Sequence, residues 1–279
     1  MSGASAIWLD GTPASALPLP DRGLEFGDGL FETLLLRAGQ PLYLGLHLQR
    51  LQIGLARLRF PECLARIEQY LQQAAAATAE RGWPWAVLRL TVTRGAGPRG
   101  YAPPQQVRPR VLLRTMKLQS DPLEMAAPAS LALADIRYAT QPALAGLKHL
   151  NRLEQVLAAA QAAAAGADEA LMLDQAGQVV SVASGNIFAL RDGVLYTPPL
   201  HACGIAGTRR RLIMQQLAPA CGLQVREEAV TVDQFAQCEE AFYSNSLVGL
   251  RPIGRCRERT WHSHAACQAL FQRYREALP

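Results

Sequence analysis

Lysine is rare in this sequence, and its two positions are the first indication of chemistry. Lys117 and Lys148 are the only lysines among the 28 basic residues of a 279-residue chain. Arginine stays protonated in proteins, whereas the amine of lysine can lose its proton and attack a carbonyl carbon. The two lysines are therefore the candidate nucleophiles.

Lys148 is the stronger candidate. It follows the apolar Leu147 at the predicted start of an amphipathic helix, where an amine loses part of its hydration. Incomplete hydration disfavours the charged form, and a neutral amine can condense with an aldehyde. A surface lysine at a helix start also explains this pattern, and for Lys117, at the end of a strand, the surface interpretation is stronger still.

Three segments could bind an anion. His47 and Arg50 are three residues apart and share one face of a predicted helix. Gly207-Thr208-Arg209 enters a helix whose free N–H groups suit a phosphate, although these residue types also form an ordinary helix cap. Ser244-Asn245-Ser246 follows a strand and adds small hydroxyl donors.

The hydrophobic pattern predicts the elements that must hold these residues, in an α/β (α+β) arrangement. Apolar residues recurring every three or four positions predict helices, and alternating or short apolar runs predict strands. The predicted helices cover residues 46–58, 63–81, 149–165, 208–217 and 264–277. The predicted strands cover residues 6–12, 31–36, 86–93, 111–117, 130–137, 169–174, 178–182, 187–190, 194–197, 224–231 and 240–243. The glycine-rich residues 21–29 predict a loop.

Length and composition indicate a globular protein of one large domain or two ordinary ones. Residues 119–128 contain two prolines and predict a linker between an N-terminal α+β domain, 1–118, and a C-terminal α/β domain, 129–279, that carries Lys148. The N-terminus lacks the pattern of a secretory signal, and no apolar run approaches the roughly 18 residues of a membrane span. These features favour the cytoplasm.

Cysteine spacing and charge exclude other classes. Six cysteines occur without any Cys-x-x-Cys pair, which argues against a zinc ribbon or a redox motif and predicts no metal site. The net charge of +5 comes from dispersed arginines rather than from a basic stripe, so nucleic-acid binding is not favoured. A small-molecule substrate is the remaining expectation.

Six runs of residues, taken in chain order, form a larger pattern. They are Phe26–Thr33, His47-x-x-Arg50, Thr93–Tyr101, Gly146–Glu154, Ser184–Phe188 and Gly207–Arg210. This set resembles the fold-type IV pyridoxal-phosphate enzymes over nearly the whole chain. Within that group, Arg99-Gly100-Tyr101 and the run 147–154 are most similar to the aminodeoxychorismate lyases, which form 4-aminobenzoate and pyruvate for folate synthesis.

The resemblance implies a role for each motif. Lys148 would bond covalently to the aldehyde of pyridoxal 5'-phosphate, and Arg50 would bind the phosphate with its guanidinium fork. The other residues implied in cofactor binding are Ser181, Asn186, Gly207, Thr208, Arg209, Asn245 and Ser246. The residues implied in substrate binding are Phe31, Thr33, Arg99 and Tyr101.

Tyr101 would also relay a proton, although a loop tyrosine that only packs is an alternative. Family members are homodimers with the cofactor between two domains. The resemblance therefore implies a homodimer in which Arg99 or Tyr101 acts across the subunit interface.

Position 181 departs from the family pattern. Relatives place a glutamate five residues before the asparagine that corresponds to Asn186 and pair it with the pyridine nitrogen, whereas this chain has Ser181. A neutral hydroxyl supports ring protonation less than a carboxylate does. We therefore expect elimination, which aromatisation drives, to be favoured over amino transfer. Impaired catalysis, or another acid such as Asp174 or Glu169 at the ring nitrogen, would also be consistent with this serine.

The resemblance thus implies aminodeoxychorismate lyase activity. One alternative is a D-amino-acid or branched-chain aminotransferase on the same fold. Another is a binding protein that retains the fold without catalysis, with Ser181 marking the loss.

Overall fold

The computed structural model describes residues 5–278, which form two compact units. The first comprises residues 5–121 together with the short segment Leu147–Asn151, and the second comprises Pro122–Gly146 and Arg152–Leu278. The change of unit at Pro122 falls inside the predicted linker. Leu147–Asn151, which the sequence places in the C-terminal domain with Lys148, instead clusters with the first unit. Residues 1–4, part of the N-terminus without a signal-like pattern, lie outside the described residues, as does Pro279.

The first unit is built on one antiparallel sheet with three helices. The strands are β1 (Ser5–Leu9), β2 (Thr12–Pro13), β3 (Gly29–Arg37), β4 (Gln40–Pro41), β5 (Trp85–Thr93) and β6 (Arg110–Lys117). The helices are α1 (Arg22–Phe26), α2 (Leu44–Arg57) and α3 (Leu64–Ala79). The strand order is β2-β1-β6-β5-β3-β4.

The core of the first unit lies between this sheet and its helices. β3 and β5 pair in register along nine residues each, and α2 and α3 pack against the sheet. Leu34 of β3, Leu88 of β5 and Ile67 of α3 are fully buried there. Side chains alternate between the two faces of a strand, so the neighbours Phe31 and Glu32 point to opposite faces of β3.

The second unit contains one large sheet that closes on itself. Its strands are β7 (Ala129–Arg137), β8 (Glu169–Leu173), β9 (Val179–Val182), β10 (Asn186–Arg191), β11 (Val194–Thr197), β12 (Gln224–Glu227), β13 (Glu240–Asn245), β14 (Gly249–Cys256) and β15 (Arg259–Thr260). The strand order is β12-β11-β10-β13-β14-β7-β8-β9, and β15 pairs with β14. β9 also pairs with β10, so six strands complete a ring around an apolar core.

Helices cover this sheet. They are α4 (Leu153–Ala164), α5 (Thr208–Leu212), α6 (Ala218–Ala220), α7 (Val232–Gln237) and α8 (Ala265–Glu276), with a π-helical turn, Ile213–Leu217, between α5 and α6. Small residues of α4 pack on β7 and β8, where Ala158 and Ala162 are buried. None of the helices within residues 5–278 combines the length and the apolar character that crossing a membrane requires.

The structure differs from the sequence-based prediction in two segments, residues 147–152 and residues 21–29. The helix predicted from residue 149 begins at Leu153, because the backbone before it is extended: the carbonyl of Lys148 accepts the N–H of Phe31 at 2.9 Å, and His149 bridges to Leu30. The predicted loop 21–29 contains α1, which Asp21 caps by accepting the N–H of Gly23 at 2.8 Å. Neither β14 nor α7 was predicted from the sequence.

Candidate active site

A buried ion pair holds Arg50 in the first unit. The Nε and Nη2 atoms of Arg50 donate to the two carboxylate oxygens of Glu32 at 2.7 and 2.5 Å. His47 Nδ1 lies 2.6 Å from the same carboxylate. His47 and Arg50, three residues apart on α2, thus both contact Glu32 of β3, as expected for residues on one helix face. Both bonds of Arg50 lie on the Nε–Nη2 edge of the guanidinium.

Glu32 is ionised at neutral pH. Burial alone would raise its pKa, but the charge of Arg50 and the hydrogen bonds from His47 and Arg50 outweigh burial and lower the pKa to about 2. The carboxylate therefore fixes the orientation of Arg50. Glu32 lies within the motif Phe26–Thr33, but the sequence alone indicates no role for it.

Lys148 points its amine at an aromatic ring. Its Nζ lies 4.3 Å from the centroid of the Phe31 ring, and the guanidinium carbon of Arg89, on β5, lies 3.6 Å from the same centroid. Burial lowers the pKa of Arg89, and the charge of Glu32 acts in the opposite direction. Lys148 and Arg89 therefore lie against the same aromatic ring. The sequence did not single out Arg89.

The four predicted substrate residues fall into two groups in the first unit. Phe31 and Thr33 lie on one face of β3, where Thr33 is the register partner of Arg89. Arg99 and Tyr101 lie on the exposed loop between β5 and β6. Tyr101 is 86% exposed, and its ring meets that of Phe26 edge-on at a centroid distance of 5.4 Å. A tyrosine that served only for packing would be more buried.

In the second unit, α5 begins at a cradle formed by Gly207. The first N–H groups of a helix have no partner within the helix, so those of Thr208 and Arg209 are suited to an anion. A Cβ at Gly207 would lie 2.0 Å from Asn186 Oδ1, so a larger residue would have to displace the Asn186 side chain or the turn. Asn186 donates to the carbonyl of Ile205 at 2.8 Å, which holds its side chain beneath the turn.

Residues 244–246 have three different environments. Thr208 Oγ1 lies 3.4 Å from Ser246 Oγ. Asn245 Oδ1 accepts the N–H groups of Leu247 and Val248, so its carboxamide shapes the turn. Ser244 Oγ is buried and has no hydrogen-bond partner within the described part of the chain. An unpaired buried hydroxyl beside the start of α5 fits a bound oxyanion, and sequence reasoning did not select it.

Ser181 forms a hydrogen bond with a tyrosine. Its buried hydroxyl lies 2.9 Å from the hydroxyl of Tyr138. Burial raises the pKa of Tyr138, whereas the hydrogen bond to Ser181 and the charge of Arg152 oppose that increase. The pair is therefore neutral at physiological pH. No sequence signal marked Tyr138, because its role depends on the pairing of strands far apart in the chain.

The two acids considered as substitutes at position 181 are engaged elsewhere. Glu169 accepts a short hydrogen bond from the Ser184 hydroxyl and another from the N–H of Ala170 at 3.1 Å. Asp174 accepts the N–H groups of Ala176 and Gln178 in the turn between β8 and β9. These partners of the two carboxylates, Ser184, Ala170, Ala176 and Gln178, are thus different from Ser181 and Tyr138.

The sequence of the chain is similar to a known family and to characterised relatives. A sequence model of the family described as Amino-transferase class IV matches residues 29–256, most of the chain. The chain belongs to this family. An aminodeoxychorismate lyase from Vibrio harveyi is 30% identical to this class IV chain over 248 residues, 88% of this chain and 90% of that protein. A D-alanine aminotransferase from Bacillus licheniformis is 29% identical over 244 residues, 85% of this chain and 82% of that protein.

A solved structure extends the comparison. The crystal structure of 4-amino-4-deoxychorismate lyase from Pseudomonas aeruginosa superimposes with a TM-score of 0.86 at 40% sequence identity, covering 97% of this chain and 98% of that one. The predicted fold class, the fold-type IV arrangement of sheets and helices, is confirmed. Class IV enzymes of this fold use pyridoxal 5'-phosphate.

The residues of each unit fit this cofactor. The first unit offers the amine of Lys148 and the oriented guanidinium of Arg50. The second offers the start of α5 and the unpaired hydroxyl of Ser244. An amine suits an aldehyde, and cations and helix N–H groups suit a phosphate.

Proposed function

We propose that this enzyme is an aminodeoxychorismate lyase that converts 4-amino-4-deoxychorismate to 4-aminobenzoate and pyruvate, a step of folate biosynthesis. The observation that carries the proposal is the neutral hydroxyl pair of Ser181 and Tyr138, 2.9 Å apart. Where relatives are expected to place a glutamate, this chain has Ser181. Elimination that forms an aromatic ring depends less on a protonated cofactor ring than amino transfer does. The similarity to the two lyases also supports the proposal.

Lys148 has two tasks in the proposed reaction. Bound pyridoxal 5'-phosphate supplies an aldehyde that captures amines and a ring that withdraws electrons. With the cofactor bound, Lys148 would hold that aldehyde, and its free amine would be the base that takes the proton from the substrate carbon that bears the amine. Lys148 or Tyr101 protonates the departing enolpyruvyl group. Lys148 and Arg89 lie against the same ring, that of Phe31, on the face of β3 that also carries Thr33.

The other proposed roles concern binding. Arg50, the backbone of Gly207, Thr208 and Arg209, and the Ser246 hydroxyl bind the phosphate, and the Ser244 hydroxyl joins them. Asn186 supports the turn through the carbonyl of Ile205, Asn245 shapes the neighbouring turn, and Ser181 would be the residue that faces the ring nitrogen of the cofactor. Arg99 binds a substrate carboxylate, while Phe31 and Thr33 line the reacting face.

An assay of both products tests the proposed reaction. Purified protein is mixed with 4-amino-4-deoxychorismate, and 4-aminobenzoate is followed by fluorescence and pyruvate by coupled oxidation of NADH. We expect equal amounts of the two products. Lys148→Ala should reduce the rate at least a thousandfold, about 4 kcal/mol of activation free energy. Lys117→Ala, at the exposed end of β6, is the matched control and should stay within twofold. No 4-aminobenzoate from the wild type would refute the proposal.

A D-amino-acid aminotransferase is the second candidate. The similarity to the Bacillus licheniformis D-alanine aminotransferase favours it. Mixing the protein with D-alanine and recording the absorbance spectrum discriminates between the candidates, because amino transfer leaves the cofactor as its amine. A lyase should show this conversion slowly or not at all. A binding protein without catalysis would bind the cofactor and carry out neither reaction.

We also propose a homodimer. Leu153, Val156 and Leu157 of α4 are 76%, 58% and 52% exposed and lie next to one another on one helix face. Exposed apolar groups of this kind mark interaction surfaces, and a second copy of the chain would cover them. A homodimer also agrees with Arg99 or Tyr101 acting across an interface. The cytoplasmic location stays a prediction from the sequence.

A further inference from the structure

One buried arginine forms hydrogen bonds with the backbone of the loop between β5 and β6. Arg22 of α1 is only 2% exposed. Its guanidinium donates to three consecutive backbone carbonyls, those of Gly100, Tyr101 and Ala102, at 3.0, 2.7 and 3.4 Å. A planar guanidinium has enough donors for such a set, whereas an ammonium group does not present them in a fork.

Arg22 is itself fixed on its other edge. Its Nε donates to Asp28 Oδ2 at 3.0 Å, and the same oxygen accepts from Arg94 Nε at 2.7 Å. Arg94 in turn donates to the carbonyl of Leu58, at the end of α2, at 2.8 Å. The position of the loop is therefore linked to the body of the first unit through charged groups that hardly contact water.

Gly97 and Phe26 also surround the Arg22 side chain. A Cβ at Gly97 would lie 2.7 Å from Arg22 Cδ, so glycine at that position keeps the path of the arginine side chain open. The Phe26 ring stacks on the Arg22 guanidinium at 4.9 Å and meets the Tyr101 ring edge-on at 5.4 Å. The backbone of residue 101 is thus held by buried groups while its phenol stays exposed.

We propose that Arg22 is a positioning residue for the substrate: by anchoring the backbone of Gly100–Ala102, it presents the side chains of Arg99 and Tyr101. The inference rests on the proposed function, in which these two residues meet the substrate. A loop ordered during folding loses less conformational entropy when a ligand binds. Arg22 therefore acts on affinity more than on the chemical step.

Trypsin provides a readout that does not depend on activity. The bond between Arg99 and Gly100 lies in the anchored loop, and proteolysis requires local opening of the chain. In Arg22→Lys, which keeps the charge beside Asp28 but loses the fork, and in Arg22→Met, we expect cleavage after Arg99 at least tenfold faster. Cleavage after the exposed Arg257 in the second unit serves as the internal reference and should not change.

Arg66→Met is the matched control variant. Arg66 also donates to a backbone carbonyl of this loop, that of Pro109 at 2.9 Å, but at the far end from Arg99. Its cleavage rate after Arg99 should stay within about twofold of wild type. Circular dichroism checks that each variant is folded, and Arg22→Lys carries the test if Arg22→Met does not fold.

Kinetics on the holoenzyme complete the experiment. In Arg22→Lys, KM for 4-amino-4-deoxychorismate should rise about tenfold while kcat changes less than threefold. Unchanged cleavage after Arg99 would overturn the anchor, and faster cleavage with an unchanged KM would overturn the positioning role. Absence of lyase activity in the wild type would count against the proposed function instead, and the KM comparison would then use D-alanine with 2-oxoglutarate.

Discussion

Ser181 is the residue at which the candidate reactions make different demands. A carboxylate at this position would strengthen the cofactor ring as an electron acceptor, and a charge-assisted hydrogen bond contributes about 1.5–3 kcal/mol. We predict that Ser181→Glu raises the rate of half-transamination with D-alanine relative to elimination by roughly tenfold or more. Stopped-flow spectra and the 4-aminobenzoate assay measure the two rates.

Ser181→Ala is the control for this prediction, because it removes the hydrogen bond to Tyr138 without adding a charge. It should not raise half-transamination. If Ser181→Glu leaves the ratio of the two rates unchanged, the serine does not bias the reaction.

Glu32 makes acid stability a second test at the residue scale. Its pKa in the folded protein, about 2, lies below the ordinary value of 4.5. The ionised carboxylate therefore stabilises the fold at pH values above about 4.5, and this contribution is lost as the pH falls towards 2. We predict that Glu32→Gln lowers the free energy of unfolding at pH 7 by about 3 kcal/mol and flattens its dependence on pH between 4.5 and 2.

Urea unfolding at a series of pH values measures this effect. Glu80→Gln changes an exposed glutamate of the same unit and should follow the wild-type curve. A Glu32→Gln curve as steep as that of the wild type would show that the ion pair with Arg50 does not lower the pKa of Glu32.

At the scale of elements, the start of α5 depends on a glycine. A Cβ at position 207 would lie 2.0 Å from Asn186 Oδ1, so a larger residue must displace Asn186 or the first turn of the helix. We predict that Gly207→Ala weakens binding of pyridoxal 5'-phosphate at least tenfold, about 1.4 kcal/mol. Gly45→Ala is the control, because a Cβ at that helical position meets nothing within 4 Å. Fluorescence titration of the apoenzyme compares the variants, and equal affinities would remove α5 from the phosphate site.

Elements formed by local interactions could be predicted from the sequence, whereas elements that depend on distant residues could not. α2 and α3 have strong 3.6-residue periodicity and were predicted to within two residues at each end. The start of α4 could not be predicted, because residues 147–151 are extended by pairing with β3 rather than by their own preference. α1 was not predicted, because it lies in a glycine-rich segment and, besides the local cap of Asp21, is held by contacts with residues distant in the chain.

The same distinction applies to the candidate site. Lys148 and Arg50 could be selected from residue type and spacing, since a rare lysine and a His-x-x-Arg pair are visible locally. Glu32, Arg89 and Tyr138 could not, because each acquires its partner from another strand or helix. Strand register decides which of their side chains meet, and register is a property of the folded sheet.

At the scale of the whole molecule, the exposed stripe on α4 predicts the oligomeric state. Wild-type protein should have twice the 30.3 kDa mass of one chain in light scattering after gel filtration. Val156→Glu with Leu157→Glu places two like charges in the stripe and should give the single-chain mass. Gln268→Glu with Gln272→Glu on the exposed face of α8 adds the same charge elsewhere and should remain dimeric. A wild type of 30.3 kDa, or a dimeric α4 variant, would contradict the proposed interface.

Reduction of the holoenzyme with borohydride tests the central claim most directly. The reagent fixes any covalent bond between a lysine and the cofactor aldehyde, and peptide mass spectrometry then locates it on one of the only two lysines of the chain. We predict modification of Lys148 in proportion to the loss of yellow colour and of 4-aminobenzoate formation, with Lys117 unmodified. Modification of Lys117 instead, or full activity after Lys148 has been reduced onto the cofactor, would contradict the assignment of Lys148 as the reacting amine.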